Sequence, residues 1–197
     1  MAVFCGGEMT KQELRSQMIK SLKASAGPDA AVVAERICAL PEYREAEFVM
    51  GYAPLRTEVD VSLVMDKAAA DGKTIAFPGA EPGEIRLACP QWRDNLITLP
   101  NKTKTVDTSD VLNINQNRDR MHLSEKHKGL ILVPGLAFTE FGTRLGRGAG
   151  YYDQLLVLMG NALLADFISI GICRKTQLVE ELPQQPHDKK VRMVIAF

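Results

Sequence analysis

The sequence lacks a net charge, its 24 lysines and arginines being matched by 24 aspartates and glutamates. That balance gives no bulk attraction to nucleic acid or to a membrane surface, so any anion site must be local. It also lacks an apolar run approaching the roughly 20 residues that a membrane-spanning helix needs. The first residues, MAVFCGGEM, lack the basic and then apolar pattern of a secretion signal. Cysteines are few and scattered: Cys5, Cys38, Cys89 and Cys173 form no C-x-x-C pair, which excludes a disulfide framework and a cysteine zinc cluster. Internal repeats and low-complexity tracts are absent. These absences predict a soluble cytoplasmic protein with no nucleic-acid and no membrane partner; a monomer or weak homodimer is expected. What is there is the composition of a globular chain, 46% apolar and 24% charged over 197 residues.

At that length a single domain is expected over residues 10–197, with residues 1–9 a flexible extension and Met9 an alternative start. TKQELRSQMIKSLKASAG reads as a helix: Thr10 and Glu13 have capping-box spacing, Leu14, Met18 and Leu22 recur every four residues, and Gly27 follows the end. Lys11 and Arg15 are four apart and share one face of its first turns, where the helix dipole disfavours cations. A second helix is predicted from Pro28 to about Leu40. EFVMGY, VDVSLVMDKAAADG and KTIAFPG then read as strand, helix and strand, with Asp60 capping the helix. GEIRLACP and LITLP are short strands or edges. Residues 100–128 are polar and rich in turn formers, which predicts a long surface connection. Within it, His122 and His127 are five apart, not at the spacing of a helical metal pair. GLILVPG, DFISIGI and VRMVIAF are buried-type strands, and YYDQLLVLMG starts a further helix. The alternation predicts an open three-layer α/β/α domain with a mostly parallel sheet, whose ligands dock beyond the carboxyl ends of the strands.

One stretch departs from any core pattern. RLGRGAGYYD, residues 144 to 153, lies between a buried strand and a helix, where α/β proteins collect phosphates on backbone N–H groups and a helix N-terminus. Gly146, Gly148 and Gly150 remove Cβ atoms at alternate positions, and Arg144 and Arg147 offer bidentate, permanent charge. Neither G-x-x-x-x-G-K-S/T nor G-x-G-x-x-G fits. Asp153, one turn into the helix, is a candidate magnesium ligand, since Mg²⁺ takes one or two carboxylates with phosphate oxygens and water. Asp188, at a loop edge beside His187 after the turn that Pro183 and Pro186 bracket, is a second carboxylate. Tyr52 closes the first strand, and Glu58 follows in its loop. The plain alternatives are a solvated turn, a dipole-stabilised Asp153 and an ordinary turn aspartate.

RLGRGAGYYD, preceded by LILVPGLAF and followed by IGICRKTQLVEELPQQPHD, resembles the 5-formyltetrahydrofolate cyclo-ligase family, and KQELR, GYAPLRTEVD and GKTIAFPG fall in the family's order. The resemblance implies closure of 5-formyltetrahydrofolate to 5,10-methenyltetrahydrofolate with ATP as co-substrate and Mg²⁺ as cofactor. It implies that ATP is held by Lys11, Arg15, Arg144, Leu145, Gly146, Arg147, Gly148, Ala149, Gly150, Tyr151 and Tyr152. Folate would meet Tyr52, Ala53, Glu58 and Tyr152, and magnesium would meet Asp153 and Asp188. Arg147 and Arg144 are the expected catalytic groups. The sequence departs from the family pattern at Gly129, Thr139 and Ala149. A phosphosugar isomerase of related architecture and a non-catalytic nucleotide or folate binder are the alternatives.

Overall fold

A computed structural model describes residues 9–79, 84–88, 92–98, 104–106, 111–113, 128–162 and 167–197. The expected extension before Met9, and the histidine pair at 122 and 127, lie outside the described residues.

The amino-terminal part runs α1 (Lys11–Ala24), α2 (Ala30–Cys38), α3 (Pro41–Glu45), β1 (Phe48–Met50), α4 (Ser62–Ala70) and β2 (Thr74–Pro78). Short strands follow, β3 (Glu84–Ala88), β4 (Leu96–Thr98), β5 (Lys104–Val106) and β6 (Val111–Asn113). The rest is β7 (Gly129–Pro134), β8 (Ala137–Phe138), β9 (Arg144–Leu145), α5 (Tyr151–Ala162), β10 (Phe167–Cys173) and β11 (Met193–Ala196).

Among the described residues, seven strands form the main sheet in the order β11-β10-β7-β1-β2-β3-β6. The first five are parallel, and β3 and β6 extend the sheet in antiparallel fashion. The expected α/β architecture is therefore present. The expectation of a long connection over 100–128 is corrected, because that span contributes β5, which pairs with β4, and β6, which pairs with β3. KTV and VLN are too short and too polar-flanked to show a period of two, and their pairing comes from partners distant in sequence. The predicted second helix is likewise divided: Asp29 caps α2 through Ala31 N at 2.8 Å, and Pro41 starts the separate α3.

Alternation along the strands sorts the core into two layers. Val49, Ile75, Phe77, Leu130 and Leu132 face α2 and α4, meeting Val33, Ile37, Val64 and Met65. Their neighbours Phe48, Met50, Ala76, Ile131 and Val133 point the other way, onto Leu155, Leu156 and Met159 of α5. Phe138 is wholly buried above β10, where Gly171 makes room for it; a Cβ there would lie 2.5 Å from the ring.

The helix α1 belongs to neither layer. Its stripe of Leu14, Met18 and Leu22 packs on Leu136, Ala137, Leu145, Val179 and Leu182, beyond the carboxyl ends of the strands. The capping box is formed, with Thr10 Oγ1 accepting from Glu13 N and Glu13 Oε2 accepting from Thr10 N. Its other end is held by Arg174, just past β10, whose side chain is buried and donates to Leu22 O, Ser25 O and Ser25 Oγ at 2.8–3.1 Å. The same guanidinium donates to Arg56 O at 3.3 Å in the loop after β1. Partial negative charge on the last carbonyls of a helix suits a cation, although burial draws the guanidinium's pKa down. Gln177 continues this tie, accepting from Arg174 N and donating to Gly135 O and Leu136 O.

Candidate active site

Because β1, β2, β7 and β10 are parallel, the loops that leave them gather on one edge, and β1 is where the chain order turns from β2 on one side to β7 on the other. Such a switch point opens a crevice.

The glycine run is fixed at both ends. Arg144 and Leu145 pair with Phe138 and Ala137 in a two-residue hairpin, and Leu145 O accepts from Leu136 N at 2.8 Å. At the far end, Gln154 N donates to Gly150 O, so α5 begins directly after Gly150. Between these anchors Gly148 and Gly150 take φ of 108° and 64°, conformations that a Cβ disfavours. The turn thereby brings the first amides of α5, which have no intrahelical acceptor, toward the crevice.

Cations and anions meet around this turn in pairs. Arg15 Nε donates to Gly146 O at 2.9 Å, tying α1 to the glycine run. Lys11 Nζ lies 2.5 Å from Asp188 Oδ2 and 3.3 Å from Gln185 Oε1. Burial alone would raise the Asp188 carboxyl, but Lys11 and the Gln185 amide outweigh it and hold the group below the usual carboxylate range. Arg144, with only 5% of its side chain exposed, donates to Asp153 Oδ2 at 3.1 Å and stacks 5.5 Å from the Tyr152 ring centre. Arg147 reaches across the crevice, where Nε donates to Glu58 Oε1 at 3.2 Å and an η nitrogen to Thr57 Oγ1 at 2.6 Å. Glu58 Oε2 in turn accepts from Leu55 N.

The tyrosines are structural as well as lining groups. Tyr52 is buried and donates to Val59 O, and desolvation pushes its phenol well above the ordinary value, as it does for Tyr152. Both stay neutral across physiological pH. Tyr151 donates to Gly79 O at 3.2 Å, joining the start of α5 to the end of β2.

Asp153 and Asp188 occupy one corner, because Asp153 Oδ1 accepts from the amide of Lys189, the residue after Asp188. Among the described residues no group of three or more histidine, cysteine or acidic side chains could hold a metal. Two carboxylates do fit Mg²⁺, which keeps several waters and takes its remaining ligands from phosphates. Each carboxylate has lone pairs beyond its present bonds.

Every candidate site residue lines one cleft of about 1170 Å³, measured out to its open mouth: Lys11, Arg15, Tyr52, Ala53, Glu58, Arg144, Leu145, Gly146, Arg147, Gly148, Ala149, Gly150, Tyr151, Tyr152, Asp153 and Asp188. Sequence reasoning missed Leu55, Gln185 and His187 on the walls, and Gly79 and Gly135 on the floor. The proline–glycine pairs that end β2 and β7, Pro78–Gly79 and Pro134–Gly135, were a usable signal, since they mark chain leaving the sheet at the carboxyl ends of its strands. Thr57 and Arg174 carried none.

This geometry has relatives. The probable 5-formyltetrahydrofolate cyclo-ligase of Schizosaccharomyces pombe is 25% identical over 201 residues, covering 95% of each chain. The 5-formyltetrahydrofolate cyclo-ligase of Mus musculus is 22% identical over 94% of this chain and 92% of its own. Among solved structures, the NMR structure of Aquifex aeolicus 5,10-methenyltetrahydrofolate synthetase superposes with a TM-score of 0.71 at 24% identity, over 95% of this chain and 90% of that one. The family model for 5-formyltetrahydrofolate cyclo-ligases matches residues 8–196, nearly the whole length, and the chain belongs to that family.

Proposed function

We propose that this protein is an enzyme that closes 5-formyltetrahydrofolate to 5,10-methenyltetrahydrofolate, consuming ATP and releasing ADP and phosphate. The observation that carries the reading is the convergence of α1 bases, the glycine–arginine turn and two acidic residues on one cleft at the ligand edge of the sheet.

The formyl group on N5 is an amide whose oxygen is a poor leaving group. Transfer of the γ-phosphoryl breaks its bond to the β-phosphate oxygen and forms a bond to the formyl oxygen. The N10 lone pair then attacks the formyl carbon, the carbon–oxygen bond breaks, phosphate departs and N10 releases its proton. Attack within one molecule needs no protein nucleophile, only a near-attack arrangement.

The chain's task is placement of two ligands and stabilisation of phosphoryl charge. Lys11, Arg15 and residues 144–152 hold the triphosphate; Tyr52, Ala53, Glu58 and Tyr152 line the folate side. Asp153 and Asp188 hold Mg²⁺, which supplies charge neutralisation on the phosphate oxygens when bound. Arg144, locked by Asp153 and Tyr152, orients the nucleotide, whereas the more exposed Arg147 faces the transferred phosphoryl. The scattered cysteines suit a cytoplasmic setting, and a monomer or weak homodimer is the proposed state.

The test mixes protein, Mg-ATP and 5-formyltetrahydrofolate, follows the methenyl chromophore, and omits metal and nucleotide in turn. No product with all components present refutes the reading. Arg147→Ala should lower kcat by roughly 10² or more, the loss typical of one oxyanion donor.

A further inference from the structure

We infer that Thr57 is a positioning residue for Arg147, holding the guanidinium in the orientation that phosphoryl transfer uses; the inference rests on the reading just given. Thr57 is only 7% exposed although it lies in the loop after β1, and its hydroxyl meets Arg147 Nη2 at 2.6 Å, shorter than the 3.2 Å contact to Glu58. Both acceptors therefore grip the same edge of the guanidinium, Nε and Nη2. Nη1 has no hydrogen-bond partner among the described residues, which leaves the opposite edge for a phosphoryl oxygen.

The loop that presents Thr57 is braced independently of the glycine turn. Glu58 N donates to Leu55 O at 2.8 Å and Leu55 N donates to Glu58 Oε2 at 3.0 Å, so the turn is closed from both ends. The buried guanidinium of Arg174 holds the carbonyl of Arg56. A threonine in such a turn has a restricted χ1 and offers its oxygen at a defined point. Arg147, in contrast, sits on the glycine run with 37% of its side chain exposed, and among the described residues two acceptors restrict its rotamers.

Thr57 and Glu58 differ in what happens when phosphate arrives. The carboxylate of Glu58 neutralises Arg147 and repels an incoming anion, and the folate side requires it as well. The hydroxyl of Thr57 orients without cancelling charge, so it keeps its bond while the free edge engages the phosphoryl group. A fixed donor aimed before the reaction needs no reorganisation during it.

The variants are Thr57→Val, near in shape without the acceptor, and Thr57→Ser, which keeps the oxygen. Loss of a hydrogen bond to a charged group predicts about a tenfold fall in kcat for Thr57→Val, with recovery to within about threefold in Thr57→Ser. The KM for folate should move less than about twofold, and in an Arg147→Ala background Thr57→Val should add nothing, the signature of two groups acting as one. Mg-ATP binding measured by calorimetry supplies a readout apart from turnover, with affinity falling about threefold or more in the valine variant and returning in the serine variant. Wild-type protein that binds Mg-ATP in this Thr57-dependent way but forms no methenyl product would refute the proposed reaction and leave the inference standing. Unchanged affinity in Thr57→Val overturns the inference, as does a loss that serine does not restore or that persists in full without Arg147.

Discussion

Replacing Arg174 by methionine tests how the two walls of the cleft are joined. Arg174 is 5% exposed, and its guanidinium makes four donations, three to the carboxyl-terminal turn of α1 and its flank and one, longer, to Arg56 O. Taken at roughly 1.5–3 kcal/mol per charged hydrogen bond, the four would sum to about 6–12 kcal/mol. That sum is an upper limit, because Nε is buried without a partner and burial disfavours the charge. Methionine keeps much of the stem and removes the charge penalty, but it strands the carbonyls of Leu22 and Ser25 at about 1–3 kcal/mol each. The balance is a loss of about 3 kcal/mol, or a Tm lower by roughly 6–12 °C for a chain of this size. Lysine, which cannot donate in both directions at once, should give about half. Urea titration with an unchanged m-value measures the loss, and steady-state kinetics should show ATP KM rising, since α1 carries Lys11 and Arg15. A methionine variant within about 0.5 kcal/mol of wild type would refute the reasoning, because the ties would then only offset the cost of burying the charge.

Two other perturbations follow from the geometry. Asp188 has a folded-state pKa below its unfolded value, so its contribution to stability is complete above about pH 4 and is lost as pH falls through the folded value; urea midpoints between about pH 6 and pH 3 should fall less steeply in Asp188→Asn than in wild type, and equal slopes would remove Asp188 as a source of acid sensitivity. Gly142, with φ of 83°, would bring an added Cβ within 2.1 Å of the Val191 carbonyl oxygen, whereas Gly72, with φ of 75°, has open space; Gly142→Ala should therefore cost more than Gly72→Ala, which meets only the ~1–2 kcal/mol backbone penalty, and equal losses by thermal unfolding would show that the backbone moves aside.

Much of this arrangement was legible in the sequence. Strands such as LILVP, buried on both faces, and helices with apolar stripes carry their own period, and α1 and its capping box follow from Thr10, Glu13 and the Leu14–Met18–Leu22 spacing. The edge where the cleft opens followed from parallel strands, and the glycine–arginine turn announced itself by residues no core would choose. The strands at 104–106 and 111–113 were not legible, because three-residue segments acquire their conformation from distant partners. The pairing of cleft charges was hidden for the same reason: Lys11 and Asp188, or Arg147 and Glu58, are remote in sequence and meet only through the fold. Nothing in the sequence marks Arg174, because only the position of α1 gives it carbonyls to hold.

The central position of β1 has a consequence for biosynthesis. Its three residues find β2 on one side after a short helical excursion, but the partner for its other edge, Gly129–Ile131, is encoded about 80 residues further on. At about 5–20 residues per second, that edge emerges from the ribosome roughly 4–16 s before β7 can cover it. During this interval the apolar edge of β1 has no β7 to pair with, the kind of unpaired strand edge that favours aggregation in a growing chain.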